Sequence, residues 1–213
     1  MTNLSLLIIF PLLTALAILF CRNGKQIRWT ALIGSLVQLG LTSATMVSYM
    51  GARAAGNSSQ MLFESRHSWY QALNIEYYVG IDGISVAMIM LTACVVVAAT
   101  LVSWNVQKLT KEFFFLLILL SVGAYGFFIS LDLFTMFFFL EFAVIPKFLL
   151  IGIWGSGKKE YSAMKLALLL MAGSALVLVG ILATYFNTNI GNSVHTFDIL
   201  KISFSLRFYD FKK

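Results

Sequence analysis

The chain has 213 residues, of which 60% are hydrophobic and only 11% charged, with a mean hydropathy of +0.88. A water-soluble domain of this length cannot hide so much apolar surface, so the composition excludes a soluble enzyme and points to an integral membrane protein. The net charge of +6 is not a nucleic-acid signal, because the basic residues lie in short loops between apolar runs.

The N-terminus, MTNLSLLIIF, has no basic segment ahead of its apolar run, and Leu19 and Phe20 precede Cys21 where a cleavage site wants small residues. The first helix is therefore expected to be retained. Six spans are expected, at about 4–21, 30–50, 82–103, 113–130, 132–153 and 160–186, each near the 17–25 residues a bilayer requires. The two cysteines, Cys21 and Cys94, fall in apolar segments and form neither a disulfide framework nor a metal site.

Lysine and arginine set the orientation. Arg22, Lys25 and Arg28 follow the first span, Lys108 and Lys111 the third, and Lys158 and Lys159 the fifth. The opposite side carries only Arg53 and Arg66 in its long loop. The positive-inside rule then places the N-terminus outside and the three basic loops in the cytoplasm, or in the matrix for a mitochondrial protein.

The long external loop, 51–81, opens with Gly56, Asn57, Ser58 and Ser59 and then alternates through Ile75, Tyr77, Val79 and Ile81, which predicts a short strand. Trp69, Tyr70, Tyr77 and Tyr78 are expected at the membrane interface. Asp82 is placed to cap the third span. Ser130-Leu131-Asp132 is too short a link for anything but antiparallel neighbours. Asp132 then either caps the fifth span or stands as a carboxylate at a proton exit.

The fifth span, DLFTMFFFLEFAVIPKFLLIGIW, carries the sharpest signal. Glu141 lies nine residues from Asp132, about 13 Å of helix rise into a hydrocarbon core of about 30 Å. An acid at that depth costs about 2.5–3.5 kcal/mol even on the lenient insertion scale. It needs a partner, a raised pKa or a use; the bland reading is a protonated acid bonded between helices. Pro146 removes the helix bond to the carbonyl of Phe142 and leaves that oxygen free. Lys147 points about 120° away from Glu141 and lies about 10 Å from the cytoplasmic end at Trp154, within snorkelling range. Lys165, just inside the sixth span, is either another snorkelling lysine or the cationic partner of the Glu141 pathway. An acid beside an opened turn suggests proton handling, with Glu141 and Lys165 as principal candidates and Asp132, Pro146 and Lys147 as accessories.

The tail, 187–213, is ambiguous. KISFSLRFYDF alternates as a strand does, yet Phe197, Leu200, Phe204, Phe208 and Phe211 also fit one face of a helix.

EYYVGIDGIS and SLDLFTMFFFLEFAVIPKFLLIGIWGSGKKEYSAMKLALLLMAGS resemble the antiporter-like subunit M (mitochondrial subunit 4) of respiratory complex I, the proton-pumping NADH:quinone oxidoreductase. The resemblance runs over about residues 1–200 and is densest from 75 to 180. It implies an all-α polytopic fold: three N-terminal helices over 1–111, the start of the first antiporter-like repeat over 112–186, and an external tail over 187–213. Glu141 falls on the family's essential glutamate and Lys165 on the lysine that opens the sixth helix. The resemblance further implies no cofactor in this chain, with NADH, flavin, iron–sulfur clusters and quinone in other subunits. Its partners would be other membrane-arm subunits and the lipid bilayer, with no nucleic acid, in a bacterial inner membrane or a mitochondrial one. Family members are much longer and supply a lysine on a seventh helix, so a truncated or partial chain is expected. Lys147 also stands where the family usually has an apolar residue, and Leu140 replaces an aromatic. The rivals are a sodium/proton antiporter subunit and a non-transporting scaffold of the same descent.

Overall fold

The computed structural model describes residues 4–187 and 195–203. Seven helices and one hairpin follow in order: α1 (Leu6–Phe20), α2 (Gly24–Ala54), β1 (Leu62–Tyr70), β2 (Ile75–Ile81), α3 (Gly83–Val102), α4 (Thr110–Ile129), α5 (Leu133–Phe142), α6 (Val144–Trp154) and α7 (Lys159–Asn187). Five helical stretches are long and apolar enough to cross a bilayer, with α5 and α6 counting as one, Leu133–Trp154. The chain is a multi-pass membrane protein.

Three expectations need correction. The first span is a helix of only 15 residues, about 22 Å long and shorter than the hydrocarbon core. The fifth span is not continuous: it breaks at Ala143, three residues before Pro146. The 51–81 loop is more ordered than its opening residues suggest. The predicted strand is present as β2, and β1 pairs with it antiparallel, with Arg66 opposite Tyr78 and Ser68 opposite Glu76. Asn74, in the left-handed region at φ 52°, closes the turn.

Helix α4 is the hub, packing against α1, α2, α3, α5 and α6. Half of its apolar window is buried, against 6% for α7. Close approach is achieved by omitting side chains. A Cβ on Gly123 would lie 2.9 Å from the Ala143 Cβ, and one on Gly126 would run into the Phe139 ring. Ala15, Ile18, Ala31, Phe114 and Ile118 fill the core towards the basic loops, while Leu7, Val79, Ile89, Tyr125 and Ile129 fill it towards the hairpin.

Pro11 sits inside α1 and cannot donate to the carbonyl of Leu7. Gln38 of α2 takes the missing donor's place, its Nε2 reaching Leu7 O at 3.0 Å. This buried bond joins the first two helices where the backbone ladder is interrupted.

The two ends of the bundle are chemically distinct. At one end, the Tyr77 hydroxyl lies 3.2 Å from Ser5 Oγ, and β2 docks on the α4–α5 elbow through Leu131 N to Tyr78 O at 2.8 Å. At the other, Arg28 Nη2 donates to Val106 O and Trp154 Nε1 donates to Lys108 O. The three basic loops therefore share one end and the hairpin covers the other. Residues 199–203 form a helical turn, so this part of the tail resolves the strand-or-helix ambiguity in favour of helix; Phe204, Phe208 and Phe211 lie outside the described residues.

Candidate functional site

The break between α5 and α6 follows from two local features. Pro146 supplies no N–H to Phe142 O, and the Lys147 N to Ala143 O bond one step further on is stretched to 3.5 Å. Ala143 N is shared between Phe139 O at 3.3 Å and Leu140 O at 3.2 Å, the tightened pattern of a helix end. Among the described residues, Phe142 O receives no hydrogen bond from another element. Pro146 is itself buried, and Gly123 of α4 lets the opened turn press against the hub.

Glu141 occupies the last turn before this break. Its side chain is half-buried, and Oε1 is fully buried yet accepts no hydrogen bond among the described residues. A buried carboxyl oxygen without a donor is costly unless the group is protonated or meets a changing environment. The structure does not bring the candidate charges together. Lys165 is exposed on α7, Lys147 lines a groove facing α3 and α4, and no ion pair among the described residues joins either lysine to Glu141.

Asp132 behaves otherwise. It is 1% exposed and caps α5, Oδ1 accepting from Thr135 N at 2.9 Å. Burial pushes its carboxyl above the usual 3.8, against the opposing effect of the Thr135 hydrogen bonds. Asp82 caps α3 in the same manner, through Ser85 N at 2.7 Å.

The elbow also gathers residues whose roles the sequence hid. Asp132 forms a backbone bridge with Asp198, with Leu133 N donating to Phe197 O and Ile199 N to Leu131 O. The Asp198 carboxylate is buried and accepts from Leu200 N at 2.9 Å. Arg66 Nη2 lies 2.9 Å from its Oδ2, and Arg66 Nη1 lies 3.4 Å from Glu76 Oε2. The same guanidinium stacks 3.7 Å above the centre of the Tyr78 ring, while the Tyr78 hydroxyl donates to Glu64. Burial, followed by the Glu64 bond, pushes the Tyr78 phenol up to about 12. Tyr78 is thus a buried platform, not the interfacial residue that its sequence context suggests. Trp69 and Tyr70 do remain exposed.

The comparisons with known proteins agree with this architecture. Residues 130–209 match the family described as NADH:quinone oxidoreductase/Mrp antiporter, TM. The chain is 32% identical over 202 residues to the NAD(P)H-quinone oxidoreductase chain 4 2 of Picosynechococcus, covering 94% of this chain and 37% of the relative. It is 28% identical over 207 residues to the F(420)H(2) dehydrogenase subunit M of Methanosarcina mazei, covering 97% of this chain and 41% of that one. Its fold matches a chain of respiratory complex I from Thermus thermophilus at a TM-score of 0.77 and 18% identity, over 94% of this chain and 38% of the other. The chain thus spans less than half the length of the relatives it matches. The matched segment, which begins at the elbow and takes in the broken span and α7, carries the membrane domain that NADH:quinone oxidoreductases share with Mrp antiporters, and the chain as a whole is similar to their antiporter-like subunits.

Proposed function

We propose that this chain is a membrane-arm subunit of a proton-translocating NADH:quinone oxidoreductase and contributes part of a proton channel through Glu141. The observation that carries this reading is the buried, unpartnered Glu141 oxygen beside the turn that Pro146 opens. A carboxyl in that setting is placed to take up and release a proton as a neighbouring charge or water comes and goes. In this reading Lys165, on the adjacent α7, supplies the movable charge through water, since no direct pair joins them. The approach and withdrawal of that charge would be the step that couples Glu141 to proton movement.

The redox cofactors, NADH, flavin, iron–sulfur clusters and quinone, belong in this proposal to other subunits, and the setting is a bacterial inner membrane or a mitochondrial one. Asp132 serves the channel as the cap that fixes the outer end of α5. The family's shared description with Mrp antiporters supports a second reading, a subunit of a multisubunit sodium/proton antiporter.

Affinity capture of the tagged chain from native membranes tests the choice. Recovery of an assembly that oxidises NADH with an artificial acceptor is expected. Recovery of an assembly without that activity, but with sodium/proton exchange in vesicles, would favour the antiporter. A chain that associates with neither activity would leave the scaffold reading.

A further inference from the structure

A groove of about 480 Å³, with no α7 residue in its lining, runs between α3, α4 and the α5–α6 span, within the roughly 300–1,000 Å³ range of small-molecule sites. Its walls include Leu91, Val95, Phe127 and Leu140. Leu91 and Val95 are each 57% exposed, so the groove opens sideways to the bilayer. Two hydroxyls reach the wall, and both are spent on their own helices: Thr92 donates to Met88 O and Ser121 to Ile118 O. The remaining lining residue with a polar side chain is Lys147.

That combination selects a ligand with an apolar body and an anionic head. Lys147 lies seven residues from Trp154, about 10 Å from the end that carries the basic loops, a distance from which a lysine can rest its stem on the apolar wall and reach the headgroups with its charge. Lys108, Lys111, Lys158 and Lys159 stand at that same end against Glu112 and Glu160, giving a surplus of positive charge where a lipid head would sit. Glu141 lies on α5, on the other side of the break at Ala143, and forms no ion pair with Lys147.

We propose that this groove binds an anionic phospholipid from the leaflet on the lysine-bearing side, one acyl chain lying between α3 and α4 and the phosphate meeting Lys147. This inference is independent of the proton-channel reading.

Native mass spectrometry of the chain released from phosphatidylcholine nanodiscs containing a minor fraction of phosphatidylglycerol provides the test. Retention of phosphatidylglycerol over phosphatidylcholine by roughly fivefold is expected, the equivalent of about 1 kcal/mol for one lysine. Lys147→Met should abolish the preference, Lys147→Arg should keep it, and Lys158→Ala should leave most of it. Ala99→Phe, which fills the groove, should lower retention of both lipids. Equal retention of the two lipids by the wild-type chain, an undiminished preference in Lys147→Met, or a loss in Lys158→Ala as large as in Lys147→Met would each overturn the proposal. So would the absence of any retained lipid, which would leave the groove to a polypeptide segment.

Discussion

Two prolines interrupt apolar helices in this chain, and their freed carbonyls meet different fates. Pro11 orphans Leu7 O, and Gln38 closes the gap from the next helix at 3.0 Å. Pro146 orphans Phe142 O, and among the described residues no comparable donor answers it; the nearby Glu141 oxygen is likewise buried without a donor among them. The first break is sealed and serves packing. The second is left open next to an acid, the arrangement that water or a moving charge can exploit. A helix break in a membrane thus gains its meaning from what answers the freed backbone, not from the proline itself.

The open break depends most heavily on the packing that supports it. Gly126→Leu would drive a side chain into the Phe139 ring and should cost about 3 kcal/mol, seen as a large drop in the melting temperature of the purified chain. At the sealed break, Gln38→Leu strands Leu7 O and should cost about 1–3 kcal/mol. In a Pro11→Ala background, where the backbone N–H is restored, the same substitution should cost much less, and a double-mutant cycle measures the difference. If the two costs are equal, the Gln38 bond is not a reply to Pro11.

At the open break the sign should reverse. Pro146→Ala restores a donor to Phe142 O and should raise stability by about 1 kcal/mol, while lowering proton pumping in the assembly. A stabilised variant that pumps normally would show that the opened turn has no transport role.

The smallest effect is expected at the elbow. Burial raises the Asp132 carboxyl above 3.8, so folding favours its protonated form. Ionisation therefore costs stability as the pH rises from about 4 through the raised value, and the penalty is complete above it. Asp132→Asn retains an acceptor for Thr135 N and removes that penalty. Melting curves should show the variant equal to the wild type near about pH 3 and more stable, by less than about 1 kcal/mol, near neutrality.

Much of this fold was legible because the bilayer simplifies the code. Apolar runs of the required length marked the spans, and Asp82 and Asp132 announced their helix starts. The alternation from Ile75 to Ile81 gave β2. Glu141 stood out because depth alone makes an acid expensive.

What stayed hidden depends on long-range pairing. LFESRHSWY has a mostly exposed, irregular pattern, and its strand character comes from register with β2. Arg66 and Asp198 are far apart in the chain, so the ion pair that fastens the hairpin to the tail had no local signature. A buried aspartate followed by a short helical turn does signal a cap, but not its cation. Pro11 carries the same local signal as Pro146, yet its partner Gln38 belongs to another span. The short α1 was obscured because hydropathy reports apolar length, while helix length depends on where the ladder begins and ends.

In the proposed function, Glu141 is the group that passes the proton. Proton translocation per NADH oxidised should be measured in membrane vesicles of the intact assembly with Glu141→Gln in this chain, alongside Glu141→Asp, at equal subunit content. The glutamine variant should lower pumping severalfold, and the aspartate variant, which keeps a carboxyl, should recover a substantial part. Normal pumping by the Glu141→Gln assembly would rule out Glu141 as the proton carrier.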